Sequence, residues 1–160
     1  MITREKGFTL IELLIVIAII GILAAIAVPN LLNAVQRSKQ KRTMGDMRAL
    51  ATAVEAYHVD NSAFPSAACS GGEYTALGLV LDAASFSSLT PTYIANIPVR
   101  DGWGHFLAYN VNNGFSKYNI ISFGRNGASD SPSCGTTTDF NDDIIYSNGT
   151  FVQWPDGPQQ

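Results

Sequence analysis

A carboxylate, Glu12, stands four residues beyond Phe8 in an apolar run that extends to Val28 and is otherwise broken only by Thr9 and Gly21. A run of about 20 such residues is long enough to cross a bilayer as a helix. Near the middle of a spanning helix an acidic residue costs roughly 2.5 to 3.5 kcal/mol, and it is usually kept for a function or a partner. The alternative is that Glu12, one turn from the start of the run, snorkels to the lipid headgroups. Gly7-Phe8 offers a partner. Upstream lies a polar leader carrying Arg4 and Lys6; a cut between Gly7 and Phe8 would leave the helix attached and expose a new ammonium on Phe8. Between parallel helices staggered along a common axis, that ammonium pairs with Glu12 of another copy. A rival cut lies at Ala25-Ile26-Ala27, which reads as a secretory signal cleavage pattern and would release the rest of the chain, although the apolar region before it is long for that purpose.

Other chemistry-bearing residues gather near the end. Asp130, Asp139, Asp142 and Asp143, with Asn126 and Asn141, supply hard oxygen donors of the kind that calcium takes. They lack the alternation and terminal Glu of an EF-hand. The two histidines, His58 and His105, have no nucleophile beside them in a recognisable motif, and no pair of carboxylates is singled out as acid and base. The chain is therefore expected not to be an enzyme. Cys69 and Cys134 are isolated, with no C-x-x-C spacing for a metal or redox role.

The elements that position these groups follow from pattern. At 160 residues the chain suits one modest domain with a helical stalk. Through Arg48 the formal charge is +4, and from Ala49 onward it is −7. A negative C-terminal region argues against direct nucleic-acid binding, because phosphate neutralisation needs clustered Lys and Arg. Met44, Met47, Leu50, Ala51, Val54 and Tyr57 recur at three- and four-residue spacing, so the helix is expected to continue past the membrane with one buried stripe. Pro29 removes the bond to the Ala25 carbonyl and is expected to kink or loosen it. Asn61-Ser62 and Phe64-Pro65 end it. A short helix is expected over Ser85 to Leu89, and Asn112-Asn113-Gly114 and Asn148-Gly149 lie between strand-like runs as hairpin turns. The fold class is α+β: a long N-terminal helix packed on a small C-terminal antiparallel sheet.

Lys6-Gly7-Phe8-Thr9-Leu10-Ile11-Glu12, running on to Gly21 and Pro29, resembles the N-terminus of the type IV prepilins and type II secretion pseudopilins. The resemblance implies a type IV pilin-like fold with a cleaved leader (1–7), a transmembrane and assembly helix (8–28), an amphipathic helix entering the head (29–60) and a globular head (61–160). It implies that a prepilin peptidase of the bacterial inner membrane cuts between Gly7 and Phe8 and N-methylates Phe8, and that Glu12 directs assembly. Between Gly21 and Pro29 the helix is expected to stretch or melt on packing. Asp101-Gly102-Trp103-Gly104, Tyr118 to Gly124 and Asp142-Asp143-Ile144 are similar to the head of the G-type major pseudopilin. That likeness implies calcium held by Asp139, Asp142, Asp143 and Asn126, the last standing where the family more often has Asp; a plain solvated acidic loop is the alternative. No cofactor is required otherwise. An exported head implies a Cys69–Cys134 disulfide, a feature that fits pilins better; its loop would add roughly 4 kcal/mol.

The implied partners are copies of the chain in a helical filament, an inner-membrane assembly platform, minor pilins or pseudopilins, and membrane lipid before assembly. The head is expected in the periplasm, then in a periplasmic pseudopilus or an extracellular pilus. Two purposes remain open, the major pseudopilin of a type II secretion machine and a surface pilin for adhesion, motility or DNA uptake. A membrane-tethered enzyme or binding module is a remote third.

Overall fold

The computed structural model of the chain describes residues 7–65, 79–80, 86–112, 115–130 and 134–159. Helix α1 spans Leu10–Asn61, and six strands follow: β1 Leu79–Val80, β2 Ala108–Val111, β3 Tyr118–Ser122, β4 Gly135–Thr137, β5 Ile144–Ser147 and β6 Thr150–Pro155. The chain divides into two compact units, residues 1–35 and 36–160.

In the first unit the helix is apolar on every side. Ile11, Leu14, Ile19, Leu23 and Ile26 are all exposed, and 0% of the most apolar 18-residue window is buried by the rest of the chain. Such a surface fits a membrane or other copies, not water. Helical assignment continues without a break through Gly21 and Pro29. Next to the proline, the Asn30 side chain donates to the Ile26 carbonyl at 3.2 Å.

In the second unit, Met47, Leu50, Ala51 and Val54 of α1 are buried, with Met44 and Tyr57 partly so at the margins. This is the stripe the spacing predicts. It packs against Tyr118 and Ile120 of β3, Ile144 and Tyr146 of β5, Tyr109 of β2, and Phe64, Phe86, Leu89 and Leu107 from connecting segments. Burial alternates along β3 and β5, so one sheet face carries the core. The helix ends on Ser62, whose positive φ of 56° and N–H bond to the His58 carbonyl at 2.8 Å close the last turn.

The sheet order is β1-β2-β3-β5-β6-β4. The β5–β6 hairpin turns on Asn148 and Gly149, with φ of 45° and 92°, the two positive values that a type I′ turn needs. The β2–β3 pair is antiparallel as expected, with Asn112 Oδ1 accepting the N–H groups of Ser116 and Lys117; Asn113 and Gly114 of that turn lie outside the described residues. Two expectations need correction. The sheet is mixed, because β4 pairs parallel with the outer edge of β6. Within the short helix expected over Ser85 to Leu89, Phe86 is 3₁₀ and residues 87–93 continue as turns in place of an α-helix, with a Leu89 N–H bond to the Phe86 carbonyl at 2.9 Å; Ser85 lies outside the described residues.

A buried carboxylate ties the loop before β2 to the helix. Asp101 Oδ1 accepts the N–H groups of Trp103 and His105, both at 2.9 Å, and its Oδ2 accepts the Ser122 hydroxyl at 2.9 Å. The turn so held gives the Gly102 N–H to Thr43 Oγ1 at 2.8 Å and the Trp103 indole N–H to Gln36 Oε1 at 2.6 Å. A Cβ at Gly102 would overlap the Lys39 carbonyl of α1, whereas one at Gly45, also on α1, would meet nothing. Gly102→Ala should therefore lower stability by about 1 to 3 kcal/mol through overpacking. Gly45→Ala should raise it by about 0.5 to 1 kcal/mol. Denaturant unfolding of the two variants beside the parent checks both signs.

Candidate functional site

The helix begins at Leu10, so Glu12 lies in its first turn. Thr9 Oγ1 accepts the Glu12 N–H at 3.3 Å and donates to Glu12 Oε2 at 3.4 Å, and the Thr9 carbonyl takes the Leu13 N–H at 3.2 Å. This is an N-cap with its Glu at the third helical position. The helix dipole favours a carboxylate there. The pattern Thr9-x-x-Glu12 was readable as a capping box, and it gives Glu12 a local role that the hydropathy argument alone overlooks. Gly7 and Phe8 precede the helix and are exposed, Phe8 to 68%. Glu12 is exposed as well.

The acidic loop is organised around Asp143. Its side chain is 2% exposed. Oδ2 accepts the Asp130 N–H at 3.1 Å, and its main-chain carbonyl accepts the Gln153 side-chain amide at 2.9 Å, while Oδ1 is buried with no hydrogen-bond partner. Burial pushes its carboxyl up to about 7; the charges of Asp130 and Asp142 push the same way, and the Asp130 N–H opposes them. The other expected ligands close local turns: Asp139 Oδ1 accepts the Asn141 N–H at 2.9 Å, and Asn126 Oδ1 accepts the Ala128 N–H at 3.0 Å. Among the described residues, no three of His, Cys, Asp and Glu converge closely enough to hold a metal ion. The orphaned Asp143 oxygen, with Asp142 and Asp130 beside it, is nevertheless the donor chemistry that an oxygen-seeking cation satisfies.

A family profile described as the prokaryotic N-terminal methylation motif matches residues 2–28, and one described as type II secretion system protein G matches residues 30–142. The chain belongs to the type II secretion system protein G family. Type II secretion system core protein G of Pseudomonas aeruginosa is 34% identical over 79% of this chain and 90% of its own length. The core protein G of Klebsiella pneumoniae is 32% identical over 96% of this chain and 97% of its own, and that of Escherichia coli K12 is 32% identical over 78% and 84%. No solved structure matches the chain significantly. The protein G match starts just after Pro29 and ends at Asp142, so it spans the clasp at Asp101 and most of the acidic loop.

Gly21 and Pro29 lie within α1, and Gly21 has open space around its Cα. Cys134 is exposed, and Cys69, its expected partner, lies outside the described residues. His58 stacks on Phe64 with ring centroids 4.1 Å apart, and a His105 ring nitrogen meets the Gly124 carbonyl at 3.0 Å.

The Asp143 carboxyl has a testable consequence. Its folded pKa is raised above the unfolded value of about 3.9, so the fold favours the neutral acid. The resulting stabilisation is complete below about pH 4, shrinks as pH rises and is lost above 7, a change on the order of 4 kcal/mol. With chelator present, unfolding free energies of the parent should fall between pH 4 and 7, while Asp143→Asn should give a nearly flat profile across that window.

Proposed function

We infer that the chain is the major pseudopilin of a type II protein secretion system, a structural subunit that polymerises into a pilus-like filament and carries no catalytic activity. The observation that carries the reading is an apolar helix left uncovered by its own chain, joined to a head whose sequence falls in the protein G family. In this reading the precursor waits in the inner membrane with its head in the periplasm. Prepilin peptidase removes residues 1–7 and methylates Phe8, and the assembly platform adds the subunit to a growing filament. Minor pseudopilins share that filament.

Glu12 then meets the Phe8 ammonium of a neighbouring copy. Parallel packing in which one surface of each copy meets a different surface of the next does not close, and it generates a helical filament. Gly21 and Pro29 are the positions at which α1 gives way as copies pack, since glycine weakens a helix interior and proline removes one of its hydrogen bonds. The surface-pilin alternative drew its support from paired cysteines, and Cys69 of that pair lies outside the described residues. If the exported head is oxidised, Cys69 is the partner that Cys134 would take.

The loop is read as a candidate structural calcium site. Asp143, with Asp142 and Asp130 beside it and Asp139 and Asn126 in the adjoining turns, would hold the ion. Bound calcium would neutralise the buried carboxylate. Chelation should lower the melting temperature of the parent at neutral pH and leave Asp143→Asn unmoved; equal melting curves for the parent with calcium and with chelator would remove calcium from the account.

Deletion of the gene tests the function itself. Exoprotein secretion should stop with any surface pili intact, and loss of pili with normal secretion would establish the pilin reading instead. Glu12→Ala should leave cleaved subunit in the membrane with little or no sedimentable filament, as followed by fractionation; filaments at the parent's yield would refute the assembly role of Glu12.

A further inference from the structure

We propose that a groove between the Arg37–Met44 stretch of α1 and the segment following β6 takes the headgroup of an anionic phospholipid before assembly. The proposal rests on the inner-membrane reading and gives the lipid of that reading a site on the head. The groove encloses about 290 Å³ and is lined by Arg37, Lys41 and Met44 on one side and by Pro155, Asp156 and Gln159 on the other. Its floor is fixed. Gln40 Nε2 donates to Gln159 Oε1 at 3.3 Å, and Gln159 Nε2 donates to the carbonyls of Thr137 and Asp156 at 2.7 and 3.0 Å.

Its cations are unspent. Arg37 and Lys41 are exposed, and the single ion pair among the described residues joins Arg42 to Asp46 at 3.5 Å. Four residues apart on a helix, Arg37 and Lys41 are neighbours of like charge, and an anion between them relieves their repulsion. Asp156, the acid in the groove, accepts the Gly157 N–H on Oδ1 at 2.8 Å. Two cations against one carboxylate leave the groove positive. An acceptor beside two cations suits a headgroup that joins a phosphate to hydroxyl donors, as phosphoglycerol does.

The occupant follows from what precedes the groove in the chain. Exposed apolar surface on α1 continues past Val28 through Leu31, Leu32 and Val35, at 64%, 57% and 43% exposed. Leu13 to Leu32 holds one polar side chain, Asn30, whose amide is spent on the Ile26 carbonyl at 3.2 Å. That stretch of about 20 helical residues rises about 30 Å and fills a hydrocarbon core. A Glu12 that has no ammonium to meet then stands in one headgroup layer, and the residues after Leu32 enter the other.

Val35 lies about 5 Å beyond Leu32 within the same unit. Arg37, the first lining residue of the groove, comes two residues later, so it follows Val35 by at most about 8 Å at any angle between the two units. A headgroup layer is about 5 to 8 Å thick, and a long basic side chain reaches back to it. Carboxylates of a second copy would also attract these cations. Nothing holds a second copy within that distance, however, whereas the chain itself carries the groove to the lipid.

Full-length chain reconstituted in phosphatidylcholine vesicles tests the site. Trace spin-labelled phosphatidylglycerol and, separately, spin-labelled phosphatidylcholine report by electron paramagnetic resonance which lipid the chain holds. The parent should favour phosphatidylglycerol about fivefold, and Arg37→Gln/Lys41→Gln, which alters charge with little change of shape, should lower that preference about threefold or more. Arg42→Gln, outside the groove and already paired, should keep the parent's preference, with thermal unfolding of the head unchanged throughout. An equal preference in the parent and in Arg37→Gln/Lys41→Gln overturns the proposal. So does an Arg42→Gln variant that falls as far as the double variant, which would mean a diffuse basic surface without a site. Loss of the preference in millimolar phosphate, but not in chloride of equal ionic strength, would make free phosphate the occupant and overturn the lipid. Full lipid preference beside lost sedimentable filament in Arg37→Gln/Lys41→Gln would overturn it too, in favour of a second copy. A chain that washes off the vesicles overturns the inner-membrane reading and this site with it, whereas a chain that stays embedded without lipid preference overturns the site alone.

Discussion

One helix has to satisfy two environments, and the first of them is not supplied by the chain. Between Leu10 and Val35 the side chains of α1 have no cover of their own, while between Gln40 and Val54 the same helix is half-built into a core. Burying a large aliphatic side chain is worth about 1.5 to 3 kcal/mol, so the uncovered turns together demand lipid or other copies on a scale that exceeds the stability of an ordinary domain. Moving such a helix from lipid to a bundle of its own kind gains little hydrophobic free energy, because lipid tails are as apolar as leucine. Packing and polar pairs must therefore direct assembly. In the proposed filament, Glu12 is the polar group near the helix start that would take that role.

Two buried aspartates show how differently the head treats charge. Asp101 is fully occupied by two backbone N–H groups and the Ser122 hydroxyl, and the turn it shapes reaches α1 through Gly102 and Trp103. It fixes the loop before β2 to the helix. Asp143 is as deeply buried, yet one of its oxygens has no hydrogen-bond partner and two carboxylates lie close enough to raise its affinity for a proton. A satisfied charge of this kind builds a fold, whereas a half-satisfied one leaves it conditional on a proton or a cation.

The parts legible in the sequence were those fixed by local chemistry. Asn148-Gly149 could hardly be anything but a tight hairpin, because few residue pairs accept two positive φ values. The Met47 to Val54 stripe followed from helical spacing, and the matching alternation in β3 and β5 gave it a sheet to cover. What escaped depended on contacts distant in sequence. Gly135–Thr137 has no apolar alternation and becomes strand β4 only because the edge of β6 offers it hydrogen-bond partners. Gly102 looks like any turn glycine until the Lys39 carbonyl is placed against it. The acidic residues near the end read as equivalent ligands, yet burial selects Asp143 and leaves Asn126 closing an exposed turn.

Glu12 unites the local and the intermolecular account. Its hydrogen bonds to Thr9, at 3.3 and 3.4 Å, are long for O–H and N–H donors, so the cap holds the carboxylate loosely. A charge-assisted bond to an ammonium is shorter and roughly twice as strong as a neutral one. Exchanging the Thr9 hydroxyl for a neighbour's Phe8 ammonium therefore gives up little, and the positive end of the helix dipole still favours a negative charge at that position. The cap keeps the carboxylate near the helix start, where a staggered copy in the proposed filament would present Phe8. Capping, which the structure shows, and assembly, which is proposed, would then be successive roles of one side chain, and the weakness of the first would permit the second.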